Sequence, residues 1–79
     1  MAQRTTADET LTRDELATYF ERLAEEFAGD ETPVDIQVGN KTVALTPPET
    51  VDLSVDVIER NSMLRGKHET VEIELGWKP

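Results

Sequence analysis

Apolar positions along the chain follow two different periods. From Leu11 to Phe27 they recur every three or four residues, whereas from Val34 onward they recur every second residue. The first period is typical of a helix with one apolar face, and the second is typical of strands with one buried face. The pattern therefore predicts one N-terminal helix followed by several strands.

The predicted helix spans Leu11 to Gly29 and carries signals at both ends. Thr12 is followed three residues later by Glu15, which is the spacing of a capping box. Gly29 after the last apolar position predicts a left-handed residue that stops the helix. One stripe between these ends collects the side chains that we expect to be buried, namely Leu16, Tyr19, Phe20, Leu23, Ala24 and Phe27.

The first two predicted strands form a hairpin around Gly39-Asn40. These two residues are a favoured two-residue hairpin loop. Closing the chain there pairs Ile36 with Val43 and Val34 with Leu45, so that the apolar side chains of both strands share one face. A register is well specified when one face is buried, and this one meets that condition.

Two further strands follow a turn at Pro47-Pro48, with alternating residues at 51–57 and 71–77 and a flexible hairpin loop at 61–66. Each strand is apolar on one side, so the sheet needs one apolar cover, and the helix is the available element. Short connections favour a meander in the order 1-2-3-4. We predict an α+β fold, a two-layer sandwich of one N-terminal helix on a four-stranded antiparallel sheet.

The length of 79 residues allows one compact domain. We assign residues 11–79 to this domain. Residues 1–10 are polar without periodicity, which predicts a flexible N-terminal tail or a short edge strand once docked.

Cysteine is absent from the sequence. This excludes disulfides, thiolate metal sites and thiol nucleophiles, and small secreted chains usually need disulfides. The opening residues lack the apolar run of a signal peptide, and no segment approaches the roughly 18 apolar residues of a membrane helix. We therefore expect a cytoplasmic protein without a membrane partner.

Acidic residues outnumber basic ones by 17 to 8, which gives a net charge of -9. Such a surface repels phosphate backbones and anionic lipids, so nucleic acid and membranes are not expected partners. The carboxylates are spread over a pattern that can fold, which favours halophilic adaptation in concentrated KCl. An ordinary acidic protein is the alternative interpretation.

Three motifs of this chain belong together, at residues 11–16, 43–51 and 71–77, the last ending in Trp77. They resemble the amphi-Trp domain family, small proteins found mostly in salt-loving archaea, and the resemblance spans about residues 10–78. The family pattern has an acidic residue where this chain has Gly76, and Trp77 is its signature. Because the family has no assigned activity, the resemblance implies a fold and supplies no catalytic or cofactor-binding residue.

The sequence contains few candidate catalytic residues. His68 is the only imidazole, it lies among charged residues, and no cysteine can pair with it. A lone histidine in that setting is typically a solvated side chain. We therefore predict a protein that is not an enzyme and that carries no cofactor.

A cluster of carboxylates is the candidate cation site. If Val57 pairs with Val71, one outer face of the last two strands carries Asp52, Asp56, Glu72 and Glu74. Oxygen ligands of this kind hold calcium or magnesium, although the spacing of an EF-hand loop is absent. The alternative is that this carboxylate face is hydrated in salt and binds no specific ion.

Met63 and Leu64 are apolar residues in a predicted loop, next to Arg65. Exposed apolar residues at a hairpin tip often mark a contact with another chain, although they can also fold back over the sheet edge. Both readings stay open. Trp77 is expected to close the end of the core, and a ligand pocket beside it is the alternative.

These observations favour a non-enzymatic module for protein interaction or self-association, with a partner protein or a second copy in a homodimer. The candidate interface is the hairpin tip of Met63, Leu64 and Arg65, together with an open sheet edge. The alternative function is a small-molecule or divalent-cation binding domain that uses the outer carboxylates or a pocket near Trp77.

Overall fold

The computed structural model describes residues 2–29 and 32–79. Its elements in chain order are α1 (Arg13–Ala28), β1 (Val34–Val38), β2 (Lys41–Leu45), β3 (Asp52–Ser62) and β4 (Gly66–Gly76). The strand pairs are antiparallel. The predicted α+β class and the order of one helix followed by four strands are confirmed.

The strands of the described residues form two separate two-stranded sheets, β1–β2 and β3–β4, where the sequence predicted one four-stranded sheet. The connection between β2 and β3 contains Pro47 and Pro48. Proline has no N–H to donate to a ladder, so neither residue can add a hydrogen bond that would extend β2 into a β2–β3 pairing. The chain accordingly divides into two compact units, one ending at Pro47 and one beginning at Pro48.

The capping box at the start of α1 is confirmed in both of its hydrogen bonds. The N–H of Glu15 donates to Thr12 Oγ1 at 3.1 Å, and the N–H of Thr12 donates to Glu15 Oε1 at 3.0 Å. Two helix-start donors are thereby satisfied without the rest of the fold. This local pair fixes Thr12 as the N-cap residue.

The C-terminal end of α1 differs from the prediction. Gly29 has φ -72° and ψ 154°, which is extended backbone, so the predicted left-handed stop is wrong. Its N–H still donates to the carbonyl oxygen of Glu25 at 3.3 Å. The last helical turn is closed by this bond, and the chain leaves the helix without the reversal that a left-handed residue provides.

The β1–β2 hairpin has the predicted register, with Ile36 opposite Val43 and Val34 opposite Leu45. Gly39 has φ 63°, while no residue other than glycine has a positive φ among those described. A positive φ at the first loop residue alone is the pattern of a type II′ turn, which matches the twist of the strands. A Cβ on Gly39 would lie 3.0 Å from Ala7 Cβ, so the segment before α1 passes close to this turn.

Burial in the helical unit is concentrated at Val34, which is 3% exposed. The α1 stripe is covered only in part, because Leu16 and Phe20 are 43% exposed while Tyr19, Leu23 and Phe27 are half-buried. Within this unit α1 packs against β1 and not against β2. One strand is narrower than the stripe, so the side chains on the far side of the stripe stay exposed.

Candidate functional site

The tip of the β3–β4 hairpin consists of residues 63–65 and is shorter than the predicted loop, because β3 continues to Ser62 and β4 begins at Gly66. Ser62 Oγ accepts hydrogen bonds from the N–H of Leu64 at 3.3 Å and of Arg65 at 3.4 Å. Gly66 has φ 74°, the left-handed conformation that glycine adopts without strain. Local bonds and one glycine therefore set the backbone of the tip.

The side chains of the tip point away from the strands. Met63 is 105% exposed and Leu64 is 97% exposed, so neither folds back over the edge of the hairpin. Arg65 beside them is exposed as well. The tip presents two large apolar side chains and one cation on an ordered turn, and their contact with another chain stays a prediction.

One face of the β3–β4 hairpin is apolar through three cross-strand pairs. The register sets Leu53 opposite Leu75, Val55 opposite Ile73 and Val57 opposite Val71. These six side chains are between 39% and 64% exposed. The next pair toward the tip, Glu59 and Glu69, ends the apolar face.

The opposite face of the hairpin carries the four predicted cation-site residues, Asp52, Asp56, Glu72 and Glu74. The register confirms that Asp56 lies directly opposite Glu72, a pair that we call the acidic row. Four residues nearer the tip on the same face, Arg60 lies opposite His68, a pair that we call the basic row. No three metal-ligating side chains of the described residues are arranged to hold an ion, so the cation site remains a prediction without a defined centre.

The groove between α1 and β1 is crossed by two hydrogen bonds from helix side chains to strand backbone. Tyr19 Oη donates to the carbonyl oxygen of Gln37 at 2.9 Å, and the N–H of Asp35 donates to Glu26 Oε1 at 2.8 Å. The backbone groups of Asp35 and Gln37 point away from β2. Val38 and Lys41 close the two-residue loop by hydrogen-bonding to each other, and backbone direction alternates along β1, so Gln37 and Asp35 face outward. The helix therefore covers part of the outer edge of β1.

Comparison with known protein families decides the affiliation of the chain. The model of the Amphi-Trp domain family matches residues 2–79. The chain belongs to the Amphi-Trp domain family. The resemblance expected from residues 11–16, 43–51 and 71–77 is thus confirmed, and the match also takes in the segment before α1. No curated protein and no solved structure matches the chain.

The signature tryptophan of this Amphi-Trp domain, Trp77, directly follows β4 and is half-buried. It comes one residue after Gly76, which pairs with Asp52 at the open end of the second hairpin. This position is compatible with a side chain that closes the end of an apolar face. The family description names no activity and no site residue.

Two features of the Amphi-Trp domain go beyond what the sequence predicts. Ser62 lies in the segment 61–66 that the sequence predicts to be a flexible loop, although a serine just before a turn is a known signal for side chain to backbone bonds. The bonds from Tyr19 and Glu26 to β1 had no signal in the sequence, because a tyrosine and a glutamate on a helix do not reveal which strand they reach.

No helix of the described residues is long and apolar enough to span a membrane.

Proposed function

We propose that this Amphi-Trp domain is a non-enzymatic protein-interaction module whose contact surface is the tip of the β3–β4 hairpin. The observation that carries the proposal is the exposure of Met63 and Leu64 on a turn whose backbone is held by Ser62. Burying one such side chain fully is worth about 1.5–3 kcal/mol. An ordered turn loses less conformational entropy on binding than a flexible loop would.

Charge around the tip favours a particular kind of partner. Arg60, Arg65 and Lys67 gather three of the eight basic residues at this end of a chain with net charge -9. A partner that offers an apolar pocket with acidic residues around it complements this tip. Opposite charges of that kind increase the rate and specificity of association more than they increase affinity.

The proposed setting is the cytoplasm of a cell with concentrated internal salt. The support is compositional, since the chain has no cysteine and an excess of 17 acidic over 8 basic residues. The non-enzymatic part of the proposal has similar support, because the sequence supplies one imidazole and no thiol for nucleophilic chemistry.

The test is capture of partner proteins from a lysate of the source cells in about 2 M KCl, where surface charges are screened over about 3 Å or less. The wild type is compared with the double variant Met63→Ser/Leu64→Ser and with the exchanged variant Met63→Leu/Leu64→Met. We expect the serine variant to lose the captured protein and the exchanged variant to keep it. Equal capture by all three proteins, at equal melting temperatures, would contradict the proposal.

A further inference from the structure

The outer edges of β3 and β4 are the longest strand edges that the described residues leave open. Each strand has 11 residues and pairs only with the other there. The edge of β1 is partly covered by Tyr19 and Glu26, and β2 is a strand of five residues. A long open edge is a template on which another strand can add.

A second copy of β3 can add to this edge antiparallel, related by a two-fold axis. Residues directly opposite each other then share a face, as they do within the hairpin. The axis can lie at one residue, which then faces its own copy, or between two neighbouring residues. Only an axis at one residue keeps the apolar faces of both copies on the same side of the sheet. A shift by one position would put the acidic row of one copy on the apolar side of the other.

Charge selects one of these axes. With Ile58 on the axis, Asp56 of each copy lies opposite Arg60 of the other, because the two residues are equally far from Ile58 along β3. The acidic row of one copy thus continues into the basic row of the other, and the arrangement occurs twice. Opposite charges in directly opposed positions stabilise a strand pair, and like charges destabilise it.

Other axes on β3 do not offer this match. An axis at Asp56, Glu59 or Arg60 sets a charge opposite itself, and an axis at Ser54 sets Asp52 opposite Asp56. Axes at Val55 or Val57 bring no opposite charges together. On β4, axes at Thr70 and Val71 set only His68 opposite a carboxylate, and an axis at His68, which sets Lys67 opposite Glu69, overlaps the two strands over residues 66–70 alone.

We propose that the partner of the module is a second copy of this chain, which pairs antiparallel along β3 with Ile58 on the two-fold axis. The proposal rests on the proposed function, because it names the partner and the edge that the interaction module uses. The product is a four-stranded sheet in the order β4, β3, β3 of the second copy and β4 of the second copy. Extending the register by one residue brings Met63 level with Leu53 of the second copy.

The first experiment is disulfide trapping in the full chain, which has no cysteine of its own. The variant Ile58→Cys puts its thiol on the axis, where the two Cα atoms of directly opposed residues are about 4.5–5.5 Å apart, within the range of a disulfide. The control is Thr70→Cys, which faces residue 58 within the hairpin but lies one strand further out. Its two copies are about 14 Å apart, three strand spacings, and cannot be bridged.

We expect oxidation to convert Ile58→Cys into a covalent dimer and to leave Thr70→Cys as a monomer. Light scattering of the wild type should give the mass of a dimer. Equal trapping of both variants, or of neither, would overturn the proposal, as would a monomeric mass at concentrations up to about 1 mM, a weak-affinity limit.

The second experiment uses charge reversal. Asp56→Arg alone sets arginine opposite Arg60, and Arg60→Asp alone sets aspartate opposite Asp56, so each variant should weaken self-association by about tenfold or more. A mixture of the two variants restores opposite charges at both positions. We expect a heterodimer in the mixture at about 0.3 M KCl, where charges are screened over less than about 8 Å. A mixture that stays monomeric, with both variants folded by circular dichroism, would overturn the register.

Failure of this inference is distinct from failure of the proposed function. A monomer whose partner capture still depends on Met63 and Leu64 refutes the β3 dimer and leaves the interaction module in place. A trapped dimer that captures nothing else supports the dimer as the interaction itself. A monomer that captures nothing refutes both.

Discussion

Glu26 on α1 accepts the backbone N–H of Asp35 on β1, with 2.8 Å between nitrogen and Oε1. The bond joins the helix to the outer edge of a strand through a side chain, where strand-to-strand bonding would otherwise be available. Together with the bond from Tyr19 to Gln37, it satisfies backbone groups that would pair with a foreign strand. The helix is therefore both a packing partner of β1 and a protection of its edge.

Removing this bond should destabilise the helical unit. We expect Glu26→Ala to lower the free energy of unfolding by about 0.5–1.5 kcal/mol, the usual net worth of one hydrogen bond. Glu25→Ala is the matched control, since Glu25 is exposed and its side chain has no bond of this kind, and we expect an effect within about 0.5 kcal/mol. Denaturant unfolding of both variants measures the difference, and equal values would mean that the Glu26 bond contributes nothing.

The capping box gives stability that depends on pH. The backbone N–H of Thr12, and after it the Thr12 hydroxyl, hold the pKa of Glu15 below its ordinary value of 4.5. The lowered pKa in the folded chain means that the contribution is fully present above about pH 4.5 and is lost as the pH falls through the folded-state pKa.

The variant Glu15→Gln isolates that contribution. Glutamine keeps an oxygen for the N–H of Thr12 and does not titrate, so the other carboxylates titrate equally in both proteins. We expect the melting temperature of the wild type to approach that of the variant, or to fall below it, as the pH drops below about 4.5. A constant difference between the melting temperatures of the two proteins from pH 7 to pH 3 would show that Glu15 does not contribute through its charge.

The acidic row should cost stability at low salt. Asp56 lies directly opposite Glu72, so Asp56→Asn should raise the free energy of unfolding by about 0.2–1 kcal/mol in dilute protein. Asp52→Asn is the control, since Asp52 faces uncharged Gly76. The gain should shrink near 1 M KCl, where screening acts over about 3 Å. Identical gains for the two variants would show that net charge matters and the pair does not.

The same two variants test the cation hypothesis for Asp52, Asp56, Glu72 and Glu74. A bound cation stabilises the fold in proportion to the logarithm of its concentration above the dissociation constant. A saturable rise in melting temperature with CaCl₂ that Asp56→Asn abolishes would support the site. A small rise in melting temperature that is equal in the wild type and in Asp56→Asn would reflect screening alone.

The left-handed Gly66 makes a prediction about the tip. A Cβ there meets nothing within 4 Å, so the cost of Gly66→Ala comes from the φ of 74° and should be about 1–2 kcal/mol. Gly76→Ala is the control, because its site is equally open and its φ is not positive. Gly66→Asn should recover part of the loss, since asparagine tolerates this conformation. Equal stability of Gly66→Ala and Gly76→Ala would refute the described turn.

Both hairpin registers could be predicted from the sequence because each depends on local information. Gly39-Asn40 determines where the first hairpin closes, and the alternation around Val57 and Val71 determines the second. The capping box of Thr12 and Glu15 is local in the same sense. Each of these features involves residues whose pairing follows from turn chemistry and side-chain parity.

Other parts of the fold depend on relations that the sequence does not display. Whether β2 and β3 pair depends on the path through Pro47 and Pro48, and a proline pair is compatible with several paths. The conformation of Gly29 could not be predicted either, because glycine adopts left-handed and extended backbone conformations about equally readily. For the candidate site, the sequence predicted the residues of the tip, and the fixation of its backbone by Ser62 appeared only in the structure.

Gly39 and Ala7 are separated by most of the helical unit in sequence, yet the fold brings them close together. The turn has a positive φ at position 39, and a Cβ there would in addition press on Ala7 at 3.0 Å, which must then move by a few tenths of an ångström. Any side chain at position 39 would therefore act at two places, because it would strain the turn and push the segment before α1 away from it.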